Sequence, residues 1–247
     1  MSDERKVALV TGGAKRVGRA VTLELARAGF EVAVHYRNSE GSAQELAANL
    51  LASGRRAIAV QADLADPDSC FSLVEKTVES LGALDVLVNN ASVFFTTTPD
   101  TVQEFNPAVW EDMFRIHMLA PMALIHHSRT HLERSGRGVV VNLCDISAER
   151  PWPDHLAYCA TKAGLVSLTR GMARALAPRI RVNGVAPGIA VFPDEYSAAL
   201  RLQITRQVPL AREGSPDGVA RLVRFLVETG DYITGQIVAI DGGRSVV

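Results

Sequence analysis

Residues 7–29 read VALVTGGAKRVGRAVTLELARAG and contain the beginning of a βαβ unit. Residues 7–11 form a short apolar run without alternating polar positions, which is typical of a strand buried on both faces of a sheet. A glycine-containing turn follows at residues 12–18, and residues 19–29 have apolar side chains at helical spacing. A strand that passes through such a turn directly into a helix predicts a parallel sheet.

Strand-like and helical segments alternate from one end of the chain to the other. Strands are predicted at residues 6–11, 31–36, 57–61, 84–89, 139–143, 181–186 and 236–240. Because crossovers between parallel strands are right-handed, this order gives an α/β protein with a doubly wound parallel sheet and helices on both faces. The ligand crevice of such a sheet lies beyond the carboxyl ends of its strands. The Pro-containing segments 96–107 and 187–193 are predicted to be long loops, which are often functional.

The composition fits one large folded unit without a strong charge. The chain has 247 residues, 47% of them hydrophobic, and its 26 basic and 27 acidic residues leave a formal net charge of −1. An α/β sheet of this size often forms a single domain, so we expect one domain over residues 1–247. A nearly neutral chain provides no broad positive field, which argues against nucleic acid as a partner. A small molecule is the expected partner.

The apolar runs, the N-terminus and the cysteines indicate a cytoplasmic protein. No apolar stretch approaches the roughly 20 residues of a membrane span, so no membrane partner is expected. Residues 1–6 lack the apolar core of a signal peptide. The three cysteines, Cys70, Cys144 and Cys159, cannot all pair and lack CxxC spacing, which fits a reducing compartment. We expect buried thiols.

The glycine turn is the first candidate binding element. Its glycines, such as Gly12, would let the backbone approach a pyrophosphate. The helix start that follows would supply unpaired N–H groups and the positive end of the helix dipole. An ordinary βα turn without a ligand is the alternative.

The end of the second predicted strand bears on the choice of cofactor. The run His35-Tyr36-Arg37-Asn38-Ser39 lacks the carboxylate that binds the ribose 2′-OH of NAD. Arg37 and Arg16, with the donors of Asn38 and Ser39, would instead bracket a 2′-phosphate, which selects NADP(H). A solvated loop charge is the alternative interpretation of Arg37.

Tyr158 and Lys162 are candidate proton-transfer residues. They stand four residues apart in a segment with helical periodicity, so both side chains lie on one helix face. A lysine ammonium lowers the pKa of a neighbouring phenol and lets it exchange protons nearer neutral pH. The YxxxK spacing becomes specific because it follows the fifth predicted strand and accompanies the glycine turn and the NNA run at residues 89–91.

These motifs occur in the order of the short-chain dehydrogenase/reductase family, which the chain resembles over essentially its full length. The pattern TGxxxxxG at residues 11–18, NNA, YxxxK and the Pro187-Gly188 turn carry the resemblance. It implies a single Rossmann-type domain, hydride transfer from a nicotinamide, Lys162 on the nicotinamide ribose, and a homotetramer. Asp63 is placed at the adenine ring, or alternatively caps the next helix. The cofactor-binding residues predicted from the strand ends and the resemblance are Gly12, Arg16, Val17, His35, Tyr36, Arg37, Asn38, Ser39, Asp63, Leu64, Asn90, Ala91, Ser92, Lys162, Pro187, Gly188 and Ile189.

Three departures from the family pattern make the chain similar to the pteridine reductase subgroup. The middle glycine of TGxxxGxG is Arg16, the serine expected thirteen residues before the tyrosine is Asp145, and NNAG ends in Ser92. The HY-R-S pattern at the second strand and Phe94 add to the similarity. The subgroup implies that Phe94 stacks the pterin against the nicotinamide. The predicted substrate site then consists of Arg16, Ser92, Phe94, Asp145 and Tyr158.

Side-chain chemistry gives Asp145 a role of its own. A serine hydroxyl donates to a carbonyl oxygen, whereas a carboxylate only accepts until it is protonated. Beside Tyr158 a carboxylate keeps the phenol protonated and ready to give a proton as hydride arrives. Asp145 also suits the amino and ring N–H groups of a pterin. The predicted catalytic residues are therefore Asp145, Tyr158 and Lys162, and the alternative is that Ser147 is the family serine.

Four histidines leave further alternatives open. The family asparagine is replaced by His117, which either holds a water of the proton relay to Lys162 or packs in the core. His126, His127 and His131 have spacings that suggest a metal site, but no carboxylate or cysteine joins them at suitable spacing. A solvated helix face is the preferred interpretation, and no metal is expected.

The sequence predicts an NADPH-dependent reductase of a C=N bond in a dihydropterin or dihydrofolate ring. A carbonyl reductase, such as a 3-oxoacyl-carrier-protein reductase, is the alternative. A nucleotide-binding sensor without activity is a remote one, which the intact Tyr158 and Lys162 disfavour. The segment 189–200 is expected to line the substrate site. The natural pterin or folate, and the reactivity of fully oxidised rings, stay open.

Overall fold

The computed structural model of the protein describes residues 5–95, 105–192 and 196–247. Its centre is a seven-stranded sheet in the order β3-β2-β1-β4-β5-β6-β7, and all neighbouring strands are parallel. The strands are β1 (Lys6–Val10), β2 (Phe30–Tyr36), β3 (Ala57–Gln61), β4 (Val86–Asn89), β5 (Gly138–Leu143), β6 (Ile180–Pro187) and β7 (Ile237–Ile240). The predicted doubly wound sheet is confirmed, and every predicted strand is present.

Helices cover both faces of the sheet. Within the described residues they are α1 (Arg16–Arg27), α2 (Glu40–Ala52), α3 (Pro67–Leu81), α4 (Pro107–Phe114), α5 (Ala120–Arg134), α6 (Leu156–Leu176), α7 (Ala198–Thr205) and α8 (Pro216–Glu228). Helices α1, α2 and α8 contribute to the core on one face, and α3, α5 and α6 to the core on the other. A π-helical turn, Arg115–Leu119, joins α4 to α5.

The first strand explains why its sequence lacks polar alternation. Ala8 and Val10 pack into the core beneath α1, whereas Val7 and Leu9 pack into the core on the opposite face. All four side chains are fully buried. Burying a large apolar side chain contributes about 1.5–3 kcal/mol, so both faces of the strand stabilise the sheet.

The N-cap of helix α3 is Asp66, whereas the sequence offered Asp63 as a possible cap. The carboxylate of Asp66 accepts hydrogen bonds from the backbone N–H groups of Asp68 and Ser69 at 3.3 and 3.0 Å, and Pro67 occupies the first turn. Asp66 therefore caps this helix. The alternative that Asp63 does so is wrong, because Asp63 stands three residues further from the helix.

The order of the strands reverses at β1, which lies between β2 and β4. The Thr11 hydroxyl accepts hydrogen bonds from the backbone N–H groups of Asn90 and Ala91, at 2.9 and 3.0 Å. The turn after β1 and the turn after β4 are therefore fixed to each other at the carboxyl ends of their strands. This is the position at which a doubly wound sheet opens its ligand crevice.

The two predicted loops are only partly described. Of the segment 96–107, residues 96–104 lie outside the described residues, and α4 begins at Pro107. Pro187 is the last residue of β6 rather than part of a loop. Within the segment 189–200, residues 193–195 lie outside the described residues, and α7 begins at Ala198.

The cysteines and the surface histidines have the surroundings of structural residues. All three cysteines are free and buried, as expected. Folding brings the carboxylate of Glu75 to 3.6 Å from His131 Nε2, a contact that the spacing along the chain does not show. Residues 5–95, 105–192 and 196–247 contain no group of three side chains suited to a metal ion. In the same ranges no helix has the length and apolar character needed to cross a membrane.

Candidate active site

The glycine turn is shaped by backbone contacts at the opening of the crevice. Gly12 has a φ of 60°, in the left-handed region that glycine tolerates. A Cβ atom on Gly18 would overlap the carbonyl oxygen of Gly12 and the amide of Asn90. Helix α1 starts beside this turn, and Lys15 at its N-cap makes no side-chain hydrogen bond to the helix. The turn therefore presents backbone N–H groups without a capping side chain, which suits a pyrophosphate.

His35 fixes the backbone of the glycine turn through hydrogen bonds at both of its ring nitrogens. Its Nδ1 accepts a hydrogen bond from the backbone N–H of Gly12 at 2.9 Å, and its Nε2 donates to the carbonyl oxygen of Ala62 at 3.1 Å. Burial lowers the pKa of His35 to about 4, so the ring is neutral at pH 7. Both ring nitrogens are engaged by the backbone, so His35 serves the turn rather than a ligand directly.

Arg37 and Asn38, which are predicted to bind the 2′-phosphate, follow directly after β2. Arg37 Nη2 lies 3.0 Å from Asp63 Oδ2, and the two side chains are 56% and 41% exposed. Asn38 is exposed beside Arg37, whereas Tyr36 and Leu64 are buried. Arg37 is thus an exposed cation in an ion pair, close to the carboxylate predicted to contact the adenine ring.

Tyr158 and Asp145 meet directly in the crevice. The phenolic O–H of Tyr158 donates to Asp145 Oδ2 at 2.9 Å. Asp145 follows β5, and its other oxygen accepts from the backbone N–H of Ser147 at 2.8 Å, which fixes the carboxylate. The Ser147 hydroxyl is buried and has no hydrogen-bond partner within the described part of the chain. Asp145 therefore occupies the position beside the tyrosine hydroxyl, and Ser147 makes no hydrogen bond to it within the described residues.

Lys162 completes this arrangement from the same face of α6. Its ammonium donates to the carbonyl oxygen of Leu143 at 2.8 Å and lies 5.6 Å from the centroid of the Tyr158 ring. Burial lowers the pKa of Lys162, and the nearby Asp145 carboxylate opposes that shift. Burial and Asp145 together raise the pKa of Tyr158 well above its ordinary value. The phenol is therefore protonated, as expected from Asp145, whereas the lower pKa expected from the neighbouring Lys162 is wrong, because burial and Asp145 prevail.

Both ring nitrogens of His117 make hydrogen bonds within the protein. Its Nε2 accepts from the backbone N–H of Val93 at 3.2 Å and lies 2.9 Å from the Ser92 hydroxyl. Its Nδ1 lies 2.8 Å from the Thr161 hydroxyl. Burial, with Lys162 nearby, lowers the pKa of His117 to about 2. Neither nitrogen is left for a relay water, so His117 is a buried histidine that joins the NNAS turn to α6.

The crevice opens into a cleft of about 680 Å³. Its lining includes these predicted site residues: Gly12, Arg16, Val17, Asn90, Ala91, Ser92, Phe94, Asp145, Tyr158, Lys162, Pro187, Gly188 and Ile189. Phe94 contacts the ring of Tyr158 edge to face, with 5.0 Å between centroids, and is 44% exposed. Arg16 donates to the carbonyl oxygen of Val191 at 3.4 Å, which joins the glycine turn to the segment after β6.

Several residues of the cleft wall were missed from the sequence. They include Trp152, His155 and Arg244, whereas Phe192 and Tyr196 belong to the segment 189–200 that was expected to line the site. The run PWPDH immediately before α6 offered a signal, because aromatic side chains so near Tyr158 in the sequence are placed close to the mouth of the cleft. Arg244 offered none, since only the folded sheet brings the C-terminal turn to this cleft.

The chain belongs to the short-chain dehydrogenase/reductase family of oxidoreductases. Residues 12–245 match the family model described as enoyl-(acyl carrier protein) reductase. The 3-oxoacyl-(acyl-carrier-protein) reductase FabG of Staphylococcus aureus is 36% identical over 242 residues, which cover 96% of this chain and 97% of the relative.

Solved structures with the same fold include two proteins from Brucella. FolM alternative dihydrofolate reductase 1 from Brucella canis, complexed with NADP, superposes with a TM-score of 0.92 at 34% identity and covers 99% of this chain and 95% of its own. FolM alternative dihydrofolate reductase 1 from Brucella suis, also with NADP, gives a TM-score of 0.89 at 35% identity, with 98% and 96% covered.

Proposed function

We propose that the protein is an NADPH-dependent reductase that reduces a C=N bond in the ring of a dihydropterin or dihydrofolate. The observation that carries the proposal is the 2.9 Å hydrogen bond from the Tyr158 hydroxyl to Asp145. A serine at this position donates to a substrate carbonyl oxygen, whereas the Asp145 carboxylate accepts. The site therefore suits a ring that presents N–H groups.

The catalytic residues supply the proton for this reaction. Reduction of a C=N bond adds a hydride to carbon and a proton to nitrogen. When NADPH is bound, its nicotinamide supplies the hydride. Tyr158 holds the proton, because burial and Asp145 both raise the pKa of its phenol. Lys162 stabilises the phenolate that is left after transfer, and Asp145 accepts from the amino and ring N–H groups of the substrate.

The residues proposed to bind the cofactor suit NADPH. Gly18 lets α1 pack closely against the turn, and the start of the helix carries no capping side chain, so its backbone N–H groups suit a pyrophosphate. Arg37, with Arg16, takes the 2′-phosphate, and Lys162 takes the nicotinamide ribose. The NADP held by the two Brucella structures supports this choice of cofactor.

Phe94 is the residue that stacks on the substrate ring. It follows the NNAS turn, lies beside Tyr158 and keeps 44% of its surface exposed in the cleft. A flat heteroaromatic ring placed against it would have Asp145 and Tyr158 at its edge. The name of the Brucella relatives, alternative dihydrofolate reductase, supports a substrate of this kind.

A 3-oxoacyl-carrier-protein reductase is the second candidate function. The 36% identity to FabG of Staphylococcus aureus favours it. Tyr158 and Lys162 would serve a ketone as well as a C=N bond. The Asp145 carboxylate disfavours it, because a ketone oxygen beside an ionised acceptor gains no hydrogen bond there.

A substrate panel distinguishes these candidates. NADPH consumption is followed with dihydrofolate, dihydrobiopterin, dihydromonapterin and an acetoacetyl thioester, and NADH is the cofactor control. We expect turnover of at least one reduced pterin and none of the thioester. Turnover of the thioester alone would support the carbonyl reductase, and binding of NADPH without any turnover would support a sensor.

We further propose that the protein works as a homotetramer in the cytoplasm. Phe114, Leu119 and Met122 are exposed around the junction of α4 and α5, which provides an apolar surface for subunit contact. Light scattering after size-exclusion chromatography gives the mass relative to the 26.6 kDa chain. A monomeric mass at working concentration would contradict the tetramer.

A further inference from the structure

The cleft has an outer wall that the proposed chemistry does not use. The ring of His155 contacts that of Phe94 at a tilt of 55°, with 4.5 Å between centroids, and Trp152 contacts His155 edge to face at 5.9 Å. The guanidinium of Arg244 lies 5.4 Å from the centroid of Trp152. All four side chains line the cleft. A continuous row of contacts therefore leads from Phe94, beside the catalytic tyrosine, to a cation.

The backbone around Arg244 holds it on this wall. The carboxylate of Asp241 accepts from the backbone N–H groups of Gly243 and Ser245, at 3.0 and 2.6 Å, and these two residues flank Arg244. Gly242 and Gly243 have φ values of 67° and 89°, a conformation that other residues rarely adopt. The C-terminal turn thus presents Arg244 in one backbone conformation.

Arg244 has no task in the cofactor site or in proton transfer. Among the basic residues that line the cleft, Lys15 and Arg16 belong to the glycine turn and Lys162 belongs to the catalytic residues. No salt bridge joins Arg244 to a carboxylate within the described ranges. A guanidinium held over an indole by a cation–π interaction keeps its N–H donors available to an anion. A carboxylate matches the guanidinium geometry with two parallel hydrogen bonds.

We propose that this wall binds the tail of a conjugated pterin, with an aryl group along His155 and Trp152 and a carboxylate on Arg244. This inference rests on the proposed function, in which Phe94 stacks on the pterin ring. Dihydrofolate has these groups in this order, namely a benzoyl ring followed by a glutamate. Dihydrobiopterin has only a short neutral side chain. Arg244 is thus a specificity-determining residue that favours folates and touches none of the reacting atoms.

Kinetics with two substrates test this role of Arg244. In Arg244→Gln the KM for dihydrofolate is expected to rise, relative to that for dihydrobiopterin, by about ten- to a hundredfold, the loss of one charge-assisted contact. Arg244→Lys keeps the positive charge but loses the planar guanidinium. Its ratio of KM values should therefore lie between those of wild type and Arg244→Gln. Arg174→Gln is the matched control, because Arg174 is exposed and does not line the cleft. An unchanged KM ratio in Arg244→Gln overturns the proposal.

Binding of the tail alone tests the subsite without turnover. The probe is p-aminobenzoyl-glutamate, titrated calorimetrically into the folded protein. We expect wild type and Arg174→Gln to bind it, Arg244→Gln to bind at least tenfold more weakly, and Trp152→Ala to bind more weakly while keeping a wild-type circular dichroism spectrum. Equal affinity in all four proteins contradicts the tail subsite. Absence of turnover with every pterin instead contradicts the proposed function, and the titration still decides about Arg244.

Discussion

The Tyr158 hydroxyl donates a hydrogen bond to Asp145, and the Asp145 carboxylate raises the pKa of the phenol. We therefore expect the two residues to act as a unit. Tyr158→Phe removes the proton donor and should lower pterin turnover by about a hundredfold or more. Asp145→Ser should also depress turnover while leaving NADPH affinity unchanged. Because residues of one unit are not additive, the double variant should be little slower than Tyr158→Phe alone. Steady-state kcat for the four proteins measures this coupling.

Two results would reject this pairing. Full additivity of the two substitutions would mean that Asp145 acts independently of the phenol. An Asp145→Ser enzyme that reduces pterins as fast as wild type would return the carbonyl reductase to first place, because it would make the acceptor at this position dispensable.

Phe94 is expected to contribute to substrate binding and not to the stability of the fold. Since its ring is 44% exposed in the cleft, Phe94→Ala should raise the KM for a pterin several-fold through the loss of ring stacking, worth about 0.5–1.5 kcal/mol. Fluorescence titration with NADPH should give an affinity close to that of wild type. Equal loss of both affinities, with a lower melting temperature, would instead identify Phe94 as a packing residue.

At the scale of elements, the proposed function assigns the choice of cofactor to the residues that follow β2 and β3. Arg37→Asp replaces the cation proposed for the 2′-phosphate and places a second carboxylate beside Asp63. NADPH affinity should fall by about ten- to a hundredfold, and the preference for NADPH over NADH should reverse. Binding titrations with both nucleotides measure this. Equal use of NADH and NADPH by the wild-type enzyme would contradict the phosphate site.

The contact between the glycine turn and α1 leaves no space for a side chain. In Gly18→Ala the new methyl group meets the Gly12 carbonyl and the Asn90 amide, so we expect a loss of about 1–3 kcal/mol in the free energy of unfolding and weaker NADPH binding. Gly41→Ala in α2 is the control, since its Cβ meets nothing and alanine favours helix. Urea unfolding of both variants, with and without NADPH, tests the contrast.

For the whole molecule, the sequence predicted the sheet because its strands are buried on both faces. Runs such as VALV and GVVVNL have no polar alternation, so the number of strands and their positions along the chain followed directly. The YxxxK spacing likewise placed Tyr158 and Lys162 on one helix face. These signals are local, and a local pattern predicts a local geometry well.

What the sequence did not predict depends on contacts between distant segments. The pairing of His117 with Ser92 and Thr161 requires β4, the π-helical turn and α6 to meet, and no spacing shows that. Arg244 and Trp152 come together only through the C-terminal turn and the segment before α6. The ion pair of Arg37 with Asp63 joins the ends of two strands. Such contacts follow from the tertiary fold.

The whole molecule also has a built-in sensitivity to acid. His35 and His117 are buried and neutral, and burial lowers their pKa values from 6.5 to about 4 and about 2. Both rings exchange hydrogen bonds with the backbone or with hydroxyl groups, so neither can gain a proton without breaking a bond. In the unfolded chain both take up protons below their ordinary pKa.

We therefore expect the free energy of unfolding to fall as the pH falls below 6.5, because the unfolded state then binds more protons than the folded state. Each histidine contributes a slope of about 1.4 kcal/mol per pH unit, and His117 continues to do so below the range of His35. Urea unfolding at several values between about pH 7 and about pH 5 measures the slope. In His117→Asn the slope of unfolding free energy against pH should be shallower by the contribution of one histidine, whereas Thr130→Asn, an exposed control without a titratable side chain on α5, should keep the wild-type slope. A His117→Asn protein with the wild-type slope would show that His117 takes up its proton in the folded state.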